Sequence, residues 1–442
     1  MSQPPYIESK SPSPAGTLSD VKILSSPQPS HSEPAQPLDG GFRAWSTVAG
    51  SWFLLFGTLG YLYSFGVYQG AQLLTRSMLT IDRSLDYYTR VYLPSSNASS
   101  ISWMGSVQLA LPYLLGVPMG KLFDAGYIHS VLAAGSALFV FSLFMVSLAK
   151  PDQYYQLLLS QGIGMGLGVG CVQLHSTTIV SRHFLRRRAF AYGIALTGAS
   201  VGSLVYPIML NRLIYSIGFG PAVRASAGIV AGCVLLGNIL VKSPAIQPSR
   251  NQTPPAYRDW LKDPAYVLFT TGTFVAFFGF YFPSKLSLAL FCGRPLIKGR
   301  SQVVYLQLYA VEQNINETLA FYSLAILNGS SIFGRLVANY MADRLGLWNI
   351  QVPCTFVTAA LIWLVLAIKN PASLAVVASL YGLASGAWLS LCMVGTAAIA
   401  KHPSEVGYVS HPLRVPYNVH IFEFSTPAYG REEQWDLLAL LF

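Results

Sequence analysis

Arg335, in the stretch Ser331-Ile332-Phe333-Gly334-Arg335, lies well inside a long apolar run. A guanidinium placed there suits one kind of chemistry. Its planar fork can donate parallel hydrogen bonds to a carboxylate, and such a charge is tolerated at depth only where it is paired or lines a wet cavity. Gln173 and His175 sit near the end of another apolar run, where polar groups tend to face a bundle interior, and His175 is a candidate proton carrier. Trp388 and Ser390 could line the same interior from a later run. Each has a plainer reading beside it. Arg335 could snorkel from a helix end or pair with Asp343, His175 could be a hydrogen-bonded structural residue, and Trp388 could be packing.

The elements that must position these groups follow from composition. Of 442 residues, 52% are hydrophobic and only 10% are Asp, Glu, Lys or Arg, against about 25% charged in soluble domains. Too little charge is present to clothe a soluble surface. About 20 apolar residues in a helix cross a bilayer, and such runs recur. Six are read in the first part of the chain, near 45–69, 99–119, 131–149, 155–180, 189–210 and 219–241. Four follow, one starting near 265 and others near 319–341, 352–368 and 374–400. Residues 1–38, polar and rich in Pro and Ser, are expected to be a disordered cytoplasmic tail. Residues 242–263, with several prolines, form a linker between an N-terminal six-helix half (39–241) and a C-terminal half (264–407). The expectation is an all-α polytopic membrane protein with about ten spans.

Loop charge bears on orientation. With the N-terminus inside, Lys and Arg favour the inner loops, most clearly when 284–304 is set aside. The basic run Arg186-Arg187-Arg188 reads as a topology signal in contact with anionic lipid, and nucleic acid is not an expected partner. The acceptor sequons at Asn97 and Asn316 then fall outside, although a third at Asn251 falls inside. Asp124, after the second span, and Asp343-Arg344, after the eighth, occupy matching turn positions and suggest a repeat with a gating role. The string Gly162, Gly164, Gly166, Gly168 and Gly170 resembles a dinucleotide loop only loosely. No strand precedes it, and close helix packing accounts for it. Pro112, Pro118 and Pro207 are expected to kink their helices. The five cysteines show no CxxC pair, no GxxxxGK[ST] loop occurs, and no metal or cofactor is expected.

Two stretches carry a resemblance. Asp39-Gly40-Gly41-Phe42-Arg43-Ala44-Trp45 precedes the first span, and His183-Phe184-Leu185-Arg186-Arg187-Arg188-Ala189-Phe190-Ala191-Tyr192-Gly193, followed by Gly198 and Gly202, opens the fifth. Together they resemble the signatures of the monocarboxylate-transporter-like family of the major facilitator superfamily. Residues 39 to about 407 are similar to its fungal branch of riboflavin and monocarboxylate-like permeases. The resemblance implies twelve spans, cytoplasmic termini, alternating access, a small-molecule substrate and a co-transported proton. It also implies that Arg335 binds a substrate carboxylate. Where the family carries a Lys in the first span this chain has Tyr63, and where it carries an Asp one turn before the Arg this chain has Ser331. Proton-coupled lactate or pyruvate uptake is therefore not expected; a bulkier or neutral solute is.

Residues 284–304 read as an insert of the kind a translated intron would write, and 408–442 as an atypical tail in place of two last spans. The expected function is a secondary active transporter of a small organic solute, monocarboxylate-like or riboflavin-like, working by alternating access at the plasma membrane. A non-transporting or inactive truncated membrane protein is the alternative. A membrane-embedded enzyme ranks last, since it would need clustered His, Asp or Glu within the spans.

Overall fold

The computed structural model describes residues 39–63, 98–150, 152–243, 264–281, 317–364 and 368–399. The tails 1–38 and 408–442, the insert 284–304 and nearly all of the linker lie outside them. Ten helices, and no strand, occur among the described residues. We number them α1 (Phe42–Leu55, prolonged through a π turn at Phe56–Gly60), α2 (Ala98–Asp124), α3 (Ile128–Leu148), α4 (Tyr154–Arg182), α5 (Arg188–Ile217), α6 (Phe219–Leu240), α7 (Pro264–Tyr281), α8 (Glu317–Leu345), α9 (Leu347–Trp363) and α10 (Pro371–Ile399).

Each helix stands where a span was expected, and the fold class is the expected one. Five of them, α3, α4, α5, α6 and α10, are long and apolar enough to cross a membrane by length and composition alone. Phe141, Leu148, Leu235 and Ile239 are exposed on their outer faces, as side chains that meet lipid should be. α5 ends and α6 begins at Gly218, whose φ of 82° only glycine adopts freely. Pro112 and Pro118 lie inside α2 and Pro207 inside α5.

Close approach sets the packing. Apolar side chains gain little by leaving lipid for a helix neighbour, so association rests on van der Waals contact between backbones that small residues bring together. The glycine string of α4 works in two rows. Gly164 and Gly168 lie against Ser142 and Phe139 of α3, while Gly166 and Gly170 lie against Leu111, Pro112 and Leu115 of α2. On α5, a Cβ at Gly198 would run into the carbonyl of Trp52, and one at Gly202 would meet the Phe56 carbonyl at 2.6 Å and the Gly60 Cα at 2.8 Å. The π turn of α1 thus lies in the notch that Gly202 leaves. Tyr61, Tyr206 and Phe139 fill the space behind it, with ring centroids 5.1 and 6.3 Å from Tyr61.

This predicts a sharp contrast. Gly202→Val should force α1 off α5 at an overpacking cost of about 1–3 kcal/mol, visible as a lower thermal midpoint and a loss of monodisperse protein on size exclusion. Gly228→Ala, with nothing within 4 Å of its added Cβ, should leave both unchanged.

Candidate functional site

The basic turn before α5 is held from three sides. Asp39 Oδ1 accepts the backbone N–H of Leu185 at 2.5 Å and of Arg186 at 2.8 Å. Trp45 meets Phe184 edge-on at 5.1 Å. His183 Nε2, 2.7 Å from the Lys242 carbonyl, carries the proton of that bond, and Thr47 Oγ1 donates to the same carbonyl at 3.1 Å. Burial lowers the His183 pKa, while the Lys242 carbonyl pulls it back up. The two signature stretches, nearly 150 residues apart, are therefore one structural unit. Gly40 and Gly41, at φ 140° and 94°, turn the chain so that Asp39 reaches the turn.

The first free amides of α5 are met from the other half. Asp343, in the last turn of α8, accepts Ala189 N–H on Oδ1 at 2.9 Å and Phe190 N–H on Oδ2 at 2.8 Å. A carboxylate there answers both the unsatisfied amides and the positive end of the helix dipole. Arg188 and Asp39 lie within electrostatic reach of it.

From this cap a polar seam runs along α5 and α8, antiparallel, in steps of three and four. Phe190 stacks edge-on against Tyr340 at 5.8 Å. Gly193 receives the Arg335 carbonyl and the Asn339 Cβ, each 3.0 Å from where its own Cβ would stand. Arg335 Nη1 donates to the Leu196 carbonyl at 2.8 Å, and Ser331 Oγ donates to Ser200 Oγ at 2.9 Å. Asn339 Nδ2 extends the network to Ser390 Oγ on α10 at 2.7 Å.

Arg335 is 7% exposed, and its Nε has no hydrogen-bond partner among the described residues. Ten positions separate it from Leu345, about 15 Å of helix, so it lies at mid-depth. It makes no ion pair with Asp343, whose carboxylate is held by α5. Tyr63 lies within electrostatic range of Arg335, and Tyr113 of α2 within range of Tyr63. Tyr113 and Gln173 line one small pocket with Thr177, Tyr192, Met393 and Thr396, so α2, α4 and α5 of the first half face α10 of the second across it. Of its lining, sequence reading named Gln173 and missed Tyr113, Thr177, Tyr192 and Thr396; Arg335 and Tyr63 do not line it. The available signal was polar groups at helical spacing, as in Gln173 and Thr177, and a tyrosine beside Pro112.

The other candidates lie apart from that pocket. His175 is fully buried, with Nδ1 2.9 Å from the Cys171 carbonyl and its ring edge-on to Phe123 at 5.6 Å. Arg182 stacks over the same Phe123 at 4.0 Å and pairs with Asp124 at 3.8 Å. Asp124 thus engages its own half, where its counterpart Asp343 engages the opposite one. Arg344 covers Tyr340 of its own helix at 4.7 Å. Trp388 is buried in α10 near Ser390. Arg186 and Arg187 are exposed, and Arg187 is the N-cap of α5. No cluster of His, Cys, Asp or Glu among the described residues could hold a metal.

Long apolar helices, exposed apolar outer faces and a buried polar seam between α5 and α8 are the marks of a polytopic membrane protein. Residues 46–410 match the Major Facilitator Superfamily. The chain belongs to that superfamily of membrane transporters. It is 33% identical over 372 residues to the MFS-type transporter dbaD of Emericella nidulans, covering 84% of this chain and 74% of that one. It is 34% identical to the aspyridones efflux protein apdF of the same species, covering 88% and 71% of the two chains. It is 32% identical to the fujikurins efflux protein of Gibberella fujikuroi, covering 84% and 72%. Among solved structures, the superfamily transporter FucP in its outward conformation matches with TM-score 0.51 at 13% identity, covering 83% of this chain and 95% of that one. A double-tryptophan mutant of XylE matches with TM-score 0.58 at 14% identity, covering 83% and 84%. The expected superfamily and its fold are thus established. The family's members transport solutes, and no catalytic family is indicated.

The cap makes a measurable prediction. Removing a helix N-cap acceptor costs about 1 kcal/mol, which is roughly a fivefold shift in a two-state balance. In a Ser200→Cys background, Asp343→Ala should raise the rate of N-ethylmaleimide labelling of that buried seam thiol about fivefold, whereas Asp39→Ala, whose contacts stay within one half, should leave it near the parent rate. Equal rates in both would show that Asp343 does not hold the seam closed.

Proposed function

We propose that this protein is a secondary transporter that exports an acidic organic solute, with Arg335 as the anion-binding group. One observation carries the reading: a guanidinium at mid-depth is almost fully buried, yet its Nε lacks an acceptor. A buried donor without a partner is costly, and a carboxylate or acidic enolate on the solute would supply the missing acceptor while neutralising the charge. Its one bond, to the Leu196 carbonyl, crosses between the halves. Solute binding therefore competes with a contact that closes the seam, which is the coupling that alternating access requires. Tyr63, Tyr113 and Gln173 are assigned to hold the rest of the solute. With Tyr63 in place of a second cation, the site suits a single negative charge on a larger body better than a small, strongly hydrated monocarboxylate. Relatives named for the efflux of aspyridones and fujikurins support both the direction and the size. The excess of Lys and Arg on inner loops supports a cytoplasmic N-terminus, and the plasma membrane is the address this reading assigns.

A bond to a charged donor contributes about 1.5–3 kcal/mol, or roughly ten- to a hundredfold in transport rate at low solute. In inside-out vesicles carrying the full chain, Arg335→Ala should lower uptake of acidic solutes by that factor, and Arg335→Lys should restore part of it. Unchanged uptake of acids in Arg335→Ala, or movement of riboflavin but of no acid by the parent chain, would overturn the proposal.

A further inference from the structure

An open apolar groove of about 290 Å³ runs between α1 and α5, lined by Trp45, Val48, Ala49, Trp52, Phe53 and Ile194. It shares no lining residue with the pocket that Tyr113 and Gln173 line. Trp45, Ala49 and Trp52 follow one another at steps of four and three, so they share one face of α1. Ile194 lies six positions into α5 and Trp52 ten positions into α1, which gives the groove a depth of about 9–15 Å below the helix starts. That is the depth of the upper part of a phospholipid acyl chain in one leaflet.

Two arginines stand just before α5, the helix that forms one wall of the groove. Arg187, the N-cap of α5, stands seven residues, about 10 Å of helix, before Ile194. Arg186 precedes it, and both side chains are exposed. Neither has an ion-pair partner among the described residues, because the one acid at this turn, Asp39, is occupied by the amides of Leu185 and Arg186. Phe42 is 88% exposed at the same end, and Trp45, itself partly exposed, is locked edge-on to Phe184 just before the arginines. Aromatic groups with basic neighbours at a helix start are the pattern of a membrane interface.

We infer that this groove and its arginine rim form a binding site for one anionic phospholipid, with an acyl chain against Trp45, Ala49, Trp52 and Ile194 and the headgroup phosphate on Arg186 and Arg187. Charge complementarity selects the occupant. An apolar slot alone would accept any lipid, whereas two unpaired guanidinium groups at headgroup height favour a lipid with net negative charge. Since Asp39 joins this rim to the turn whose next residues carry the Asp343 cap, the bound lipid bears on the end of α5 that the other half grips.

The test uses the purified full chain, stripped of lipid in detergent. It is titrated with dioleoyl phosphatidylinositol, dioleoyl phosphatidylcholine or inorganic phosphate, and bound lipid is read by native mass spectrometry. A basic side chain near an anionic surface contributes roughly a fivefold gain. Phosphatidylinositol should therefore be retained about thirtyfold more strongly than phosphatidylcholine, and the double variant Arg186→Gln/Arg187→Gln should bring the two level. Both replaced side chains are exposed, so this variant should fold. Ala49→Phe, also at an exposed position, should fill the groove and weaken both lipids. Equal retention of the two lipids by the parent chain, a preference that survives the double arginine variant, or displacement of the lipid by inorganic phosphate at millimolar concentration would each overturn the assignment.

Discussion

The carboxylate of Asp343 takes the first two free amide hydrogens of α5, and the contacts between the halves line up from that point. An uncapped helix start buried against another helix would leave donors without acceptors and a positive dipole end without an answer. Here both are met by a residue from the opposite half. Once α8 is anchored there, its next turns bring Asn339, Arg335 and Ser331 successively against Gly193, Leu196 and Ser200. Gly193 is what allows it. A Cβ at that position would stand 3.0 Å from the Arg335 carbonyl and from the Asn339 Cβ, so a side chain there has room only if α8 gives way by a few tenths of an ångström.

The seam rests on a few bonds, from the Asp343 carboxylate to two amides, from Arg335 to the Leu196 carbonyl and between Ser331 and Ser200; under the proposed function a solute that offers Arg335 a better acceptor shifts the balance. The N-terminal half has the opposite character. Its glycines at α2–α4, α3–α4 and α1–α5 put backbone against backbone, and interiors packed so closely move as units. One polar interface that can open beside rigid apolar ones is the mechanical requirement for alternating access. Asp124 pairs with Arg182 of α4, whereas its counterpart Asp343 caps α5 across the seam.

The helices were legible because each is a long apolar run with a glycine, proline or charged turn at its ends, and the bilayer leaves helix as the form such runs can take. Arg335 was legible for a related reason, since a charge inside such a run stands out against its surroundings. What could not be read was which face meets which. Asp39 and the Arg186 turn were both marked by the family resemblance, but nothing in one chain says that the carboxylate of the first closes the amides of the second. Tyr113 was missed because a tyrosine among apolar residues looks like packing until the neighbouring helices show it close to Tyr63. His175, a candidate by type and depth, has its ring against Phe123 and Nδ1 on a carbonyl of its own helix, and hydropathy cannot distinguish that surrounding from a pathway.

Under the proposed function, α5 and α8 separate at their capped end when an acidic solute takes Arg335. Spin labels on Arg187 and Leu345, in an otherwise cysteine-free full chain reconstituted in nanodiscs, would report that distance by pulsed dipolar spectroscopy. The account predicts a short distance without solute and a second, longer population that grows with an acidic solute and is absent in Arg335→Ala. A single short distance that no solute alters, in a protein that still transports, would contradict it.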